Sequence, residues 1–175
     1  YESIKAKTEE VLAQFPFDSV SPFHLELFAT PENELVFCEI ACRAGGGTIM
    51  ETIEAVTGYR LDDVALQGQQ DPESIKPILK EMSSINQLGG WLIVPPRAGT
   101  LERIPAEIPY DFVSKYLPYG KPGKAYAAVE KAADNILQVV VTGETHQQVL
   151  AYLDKLEGWL SCLLYTSDAA DERLS

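Results

Sequence analysis

Phe23-His24-Leu25-Glu26-Leu27-Phe28, followed after a short polar turn by Leu35-Val36-Phe37-Cys38-Glu39-Ile40-Ala41-Cys42-Arg43-Ala44-Gly45-Gly46-Gly47, is the stretch on which the fold is decided. The first run, Ser21 to Thr30, alternates Phe23, Leu25 and Leu27 with His24, Glu26 and Phe28, the period-2 pattern of a β-strand. The second, Leu35 to Ala41, sets Val36, Cys38 and Ile40 against Leu35, Phe37, Glu39 and Ala41. Thr30-Pro31-Glu32-Asn33-Glu34 is turn chemistry, and a tight turn centred on Glu32-Asn33 makes Glu26 face Glu39 across an antiparallel hairpin. Opposed residues have Cβ atoms roughly 4.5–5.5 Å apart, and like charges held that close are destabilising, so a cation is expected between them. Two converging carboxylates beside an open pocket suit Mg²⁺ that also holds phosphates. The plainer alternative is two solvated glutamates on the wet face of an edge hairpin.

The residues downstream favour the ion. Arg43 offers a planar fork of donors suited to phosphate or carboxylate. Gly45, Gly46 and Gly47 let the backbone approach a ligand closely. Thr48 with Glu51 three positions later reads as a capping box that opens a helix carrying Ile49, Ile53 and Val56 and stopping at Gly58. A glycine-rich turn feeding a helix N-terminus presents free N–H groups to an anion.

This constellation resembles the metal-binding end of an ATP-grasp ligase domain. The resemblance covers roughly residues 16 to 160 and is strongest in the hairpin. It implies an α+β fold, the C-terminal part of an ATP-grasp domain with an antiparallel sheet, flanking helices and a small β-rich lobe. It further implies Glu26 and Glu39 as ligands of Mg²⁺ (or Mn²⁺), Arg43 as the catalytic residue that stabilises the phosphorylated intermediate, and Gly45, Gly46, Gly47 and His24 as cofactor-binding residues toward ATP. The implied activity is carboxylate–amine (or carboxylate–thiol) ligation through an acyl phosphate, with a small-molecule carboxylate and an amine nucleophile as partners. A homodimer is compatible with it. Where many members carry an asparagine ligand two residues after the second acid, this chain has Ala41, which favours the branch of carbamoyl-phosphate-synthase-like and L-amino-acid-ligase-like members. Two rivals share the hairpin: a catalytically inactive binding or regulatory module, and carboxylation of the biotin-carboxylase kind.

The 175 residues are 46% hydrophobic with no long apolar run and no secretory leader, so a membrane span is not expected and a cytoplasmic protein is. A net charge of −12 speaks against nucleic acid as a partner, which needs a basic footprint. Cys38 and Cys42 lack a metal spacing, and the apolar run around Cys38 suits a buried thiol. His24 shares the face of Glu26 and reads most simply as a donor to that carboxylate, and His146 as a surface residue of a helix's first turn.

The sequence starts at Tyr1, without a methionine, in the middle of what reads as an amphipathic helix from Glu2 to Gln14, so the chain reads as a fragment, and the lysines that grip ATP in the family are expected upstream. The segment Cys162-Leu163-Leu164-Tyr165-Thr166-Ser167-Asp168-Ala169-Ala170-Asp171-Glu172 resembles a translated sequencing adapter, which makes 162–175 a non-native tail. The expected division is 1–70 for the metal-binding part, 71–161 for the C-terminal lobe and 162–175 for the tail. In that lobe the pattern predicts a helix from Pro72 to Asn86 that ends near Gly89-Gly90. A hairpin of Trp91–Val94 with Leu101–Ile104 and a strand over Asp111–Leu117 follow. A buried strand over Ile136–Thr142 leads to a helix opened by Thr145 with Gln148 as capping partner.

Overall fold

The computed structural model describes residues 2–16, 19–128 and 134–161; the expected adapter-derived tail lies outside them. The chain divides into two units, one of Tyr1–Gly46 with Tyr59–Ser83 and one of Gly47–Gly58 with Ser84–Ser175. Helix and antiparallel strand are mixed throughout, as the sequence reading expected.

The first unit contains α1 (Glu2–Leu12), the hairpin β1 (His24–Ala29) and β2 (Leu35–Ala41), α3 (Leu61–Gln70) and α4 (Lys76–Ser84, of which Ser84 falls in the second unit). The α3 helix was not legible in the sequence. It buries Val64, Ala65 and Gly68, and Gly68 is glycine because a Cβ there would stand 2.6 Å from Ile75 Cδ1 and 2.7 Å from Val20 Cγ1. The expected helix from Pro72 begins only at Lys76, after a turn in which Ser74 N–H and Ser74 Oγ both donate to the carbonyl of Asp71. An apolar groove of about 320 Å³ runs among Val20, Phe23, Val64, Ile75 and Leu79.

The second unit is a three-stranded antiparallel sheet in the order β3 (Leu88–Val94), β7 (Leu137–Gly143), β5 (Val113–Pro118), with helices α2 (Ile49–Thr57) and α5 (His146–Ser161). The alternation of β3 separates the two faces. Gly90, Leu92 and Val94 lie opposite Val141, Val139 and Leu137 and share a core with Val149, Leu156 and Leu160 of α5. Gly89 belongs to the other face, where a Cβ would stand 2.4 Å from Thr52 Cγ2 and 2.9 Å from Val56 Cγ2 of α2. Covered on both faces, β7 is buried along almost its whole length, Gln138 included, as the expected buried strand requires. Lys115 of β5 pairs with Glu54 of α2.

Two expectations fail here. Gly89-Gly90 does not end a helix; it lies inside β3, where the missing side chains let two helices approach the sheet. The partner of β3 is β7, while the short β4 (Gly99–Thr100) pairs with β6 (Ala125–Tyr126). Leu101 just beyond β4 is fully buried, tied by Leu101 N–H to Lys124 O and Gly123 N–H to Leu101 O. The expected box at α5 is formed: Gln148 Oε1 accepts from Glu144 N–H and Thr145 N–H, and Gln148 N–H donates to Thr145 Oγ1.

The Tyr116 phenol donates to Pro105 O at 2.7 Å, and burial raises its pKa above the ordinary 10.0. The unfolded chain therefore loses this proton first, so stability is intact below about pH 10 and falls as pH climbs through the higher folded value. Tyr116→Phe is expected to flatten that alkaline fall, read as the urea midpoint between about pH 9 and 11. An unchanged fall would assign it to other groups.

Candidate functional site

The hairpin brings the two predicted carboxylates together by a route different from the one expected. Its loop is Pro31-Glu32-Asn33, closed by Thr30 N–H donating to Glu34 O and Asn33 N–H to Thr30 O. Asn33 takes the left-handed conformation at φ 63°, as a three-residue hairpin loop requires and asparagine tolerates. The strands leave that loop with Ala29 opposite Leu35, Phe28 opposite Val36 and Leu27 opposite Phe37. A β-bulge at Cys38 then shifts the register, so that Glu26 pairs with Glu39, Leu25 with Ile40 and His24 with Ala41.

The bulge corrects the faces read from the sequence. Leu35 and Phe37 join Leu25, Leu27 and Ile40 on the apolar face, and Val36 moves to the face of Glu26, Phe28 and Glu39. Cys38 is the extra residue, and it is exposed rather than buried, as is Cys42, whose Sγ lies 3.0 Å from Ser21 Oγ. A carboxylate pair directly opposed on adjacent strands and open to solvent is the result.

His24 flanks this pair. Its Nδ1 lies 3.8 Å from Glu26 Oε1, beyond hydrogen-bond range, and is buried without a partner. The expected donation from His24 to Glu26 is therefore not made. Among the described residues no group of three or more His, Cys, Asp or Glu converges to hold a metal.

Arg43 follows the end of β2, exposed, with Nη1 donating to Ala44 O at 2.9 Å. Gly45 and Gly46 continue the loop, and a Cβ on Gly46 would meet nothing within 4 Å. These residues share the first unit with the carboxylates, whereas Gly47 begins the second. Gly47 sits at φ 65°, a conformation that side-chain-bearing residues seldom adopt. The helix after it ends as expected, with Gly58 at φ 78° and Gly58 N–H on Glu54 O. Its start is different. Thr48 is the N-cap residue but makes no side-chain cap bond, so the predicted box with Glu51 is not closed.

No family model matches the chain, and no curated protein matches it in sequence. Solved structures do. An L-amino acid ligase from Bacillus licheniformis superposes on 90% of the chain with a TM-score of 0.71 at 18% identity. A phosphoribosylglycinamide synthetase from Anaerococcus prevotii superposes on 78% with a TM-score of 0.57 at 17% identity. Both are ATP-grasp enzymes. The fold is that of ATP-grasp enzymes. The chain spans 40% and 35% of the lengths of these two proteins. Among the described residues no helix is long and apolar enough to cross a membrane.

Proposed function

We propose that this chain is part of a cytoplasmic ATP-dependent ligase that joins a small-molecule carboxylate to an amine, or to a thiol. The observation that carries the reading is the register opposition of Glu26 and Glu39, produced by a bulge and followed by Arg43 and a glycine loop. Opposed carboxylates repel, and the bulge costs ladder hydrogen bonds, so an arrangement that keeps both calls for a cation. Mg²⁺ fits the donor set, since it is commonly held by one or two carboxylates, with waters and substrate phosphates filling the remaining positions. Mn²⁺ accepts the same oxygen donors.

When bound, magnesium ATP would supply the phosphoryl group that turns a carboxylate into an acyl phosphate, leaving ADP; the amine would then attack the acyl carbon, lose a proton and release phosphate. The residues of this chain have separate parts in that chemistry. Glu26 and Glu39 hold the metal, and His24 lines the same face beside Glu26. Arg43 and the backbone N–H groups of Gly45 and Gly46 stabilise the negative charge that develops on the transferring group. No side-chain nucleophile is needed.

The test uses Mn²⁺ as a paramagnetic stand-in. Titration into ¹⁵N-labelled chain is expected to broaden amides of β1 and β2 around Glu26 and Glu39 first, and Glu39→Gln is expected to weaken that response at least tenfold. Broadening spread evenly over the acidic surface, or indifferent to Glu39→Gln, would remove the metal site and with it the ligase reading. A specific observation keeps the inactive binding module as a second reading: Ala41, opposite His24, adds no donor atom to the pair.

A further inference from the structure

The start of α2 holds two buried polar atoms that bond to nothing, Thr48 Oγ1 and Glu51 Oε2. Thr48 is completely buried. Its carbonyl is satisfied, accepting Thr52 N–H at 2.9 Å and Thr52 Oγ1 at 2.7 Å, so the unmet group is the hydroxyl alone. Elsewhere the helix leaves little unmet: Glu54 pairs with Lys115, and Gly58 caps the C-terminus. The two orphans are the side-chain ends of a capping box that the backbone of Thr48, at φ −97° and ψ 13°, does not close. Closed boxes are easy to form, as Thr145 and Gln148 demonstrate in the same unit. Buried polar groups are nearly always bonded, and those that are not mark strain, a catalytic role, or a place filled by a water or an ion.

We propose that Thr48 and Glu51 form a subsite for the ammonium group of a primary amine. The acceptor chemistry decides the class. An ionised carboxylate can only accept, and a hydroxyl can accept as well, so the pair suits a ligand rich in N–H donors. A helix N-terminus alone would favour an anion, but the full charge of Glu51 outweighs the macrodipole, roughly half an elementary charge. The role of this subsite, to hold the substrate ammonium until it passes a proton to the Glu51 carboxylate and becomes the amine that attacks, rests on the ligase reading. Its chemistry does not.

Methylammonium chloride is the probe, titrated into the ¹⁵N-labelled chain at constant ionic strength, with tetramethylammonium, which has no N–H, as control. Methylammonium is expected to shift the amides of residues 48–52 saturably and tetramethylammonium to leave them in place. Glu51→Gln is expected to weaken the response at least tenfold. Thr48→Val, nearly isosteric and free of the orphan hydroxyl, is expected to fold at least as stably as the parent and to weaken binding about threefold or more. No saturable shift, or equal shifts with both cations, would mean that water alone fills the position and would overturn the proposal. So would indifference to Glu51→Gln, with Thr48→Val deciding if the glutamine variant fails to fold. Mn²⁺ broadening at the hairpin reads different residues, so loss of the ligase reading and loss of this one are separately visible.

Discussion

Gly90→Val is expected to destabilise the second unit by roughly 1–3 kcal/mol, a large part of the 5–15 kcal/mol that holds a typical domain together. A Cβ at Gly90 would stand 2.6 Å from Val149 Cγ1 and 3.2 Å from Leu153 Cδ1, so α5 must move away from β3 or the strand must bend. Gly89→Val is expected to act as strongly through the other face, against Thr52 and Val56 of α2. Neither obstacle yields cheaply: Thr52 and Val56 are β-branched and stiff at χ1, as is Val149. The loss outweighs the roughly 0.5–1 kcal/mol that a strand gains when glycine is replaced, because interiors close-packed on both faces have no room for added methyls. Gly46→Ala is the control, since a Cβ there meets nothing within 4 Å, and its effect should stay within about 0.5 kcal/mol. Urea unfolding reads all three, followed by far-UV circular dichroism for both units and by the fluorescence of Trp91 and Trp159 for the second. Equal midpoints for Gly46→Ala and Gly90→Val would mean that helix packing on β3 does not depend on these glycines.

These glycines also show what the sequence could and could not tell. Elements marked by a local signal were legible as elements: the period-2 runs of β1 and β2, the largely apolar run of β7, the box at Thr145 and Gln148, and the helix closed by Gly58. Gly89-Gly90 was misread because paired glycines signal a chain break locally, whereas here their use is to admit α2 and α5. Helix α3 escaped notice for a related reason. Gly68 lowers its intrinsic propensity, Arg60 is no customary N-cap, and the packing of Gly68 on Ile75 and Val20 is tertiary information. The pairing of β3 with β7 joins residues more than forty positions apart, which periodicity cannot specify.

The hairpin is the instructive case. The predicted opposition of Glu26 and Glu39 is present, yet the turn that was to produce it is not. A three-residue loop alone would have left the carboxylates out of register, and the bulge at Cys38 restores the pairing. Two departures that cancel are invisible to a pattern of alternation. The exposed Cys38 is their trace, an apolar-run residue left outside both faces. Bulges recur near active sites because they re-aim a side chain, and Glu39 immediately follows this one.

Arg43→Ala in an intact ligase carrying this chain is expected to lower kcat by about 10²–10³-fold while leaving KM for magnesium ATP within a few-fold. The split follows from where the charge develops. Among the described residues Nη1 of Arg43 bonds the neutral Ala44 carbonyl, an acceptor that an anionic oxygen displaces readily, so on the proposed reading the guanidinium would be available to the transferring group. On the proposed reading, ground-state ATP would be held chiefly by a metal on Glu26 and Glu39, which is why Glu39→Gln should instead raise the Mg²⁺ concentration needed for half-maximal rate. Arg43→Lys keeps the charge but loses the planar fork, and is expected to recover no more than about tenfold of the lost rate. Steady-state phosphate release at varied ATP and Mg²⁺ separates the outcomes. A full rate for Arg43→Ala would take the arginine out of catalysis and leave the opposed carboxylates as a metal-binding device, which is what the binding-module reading requires.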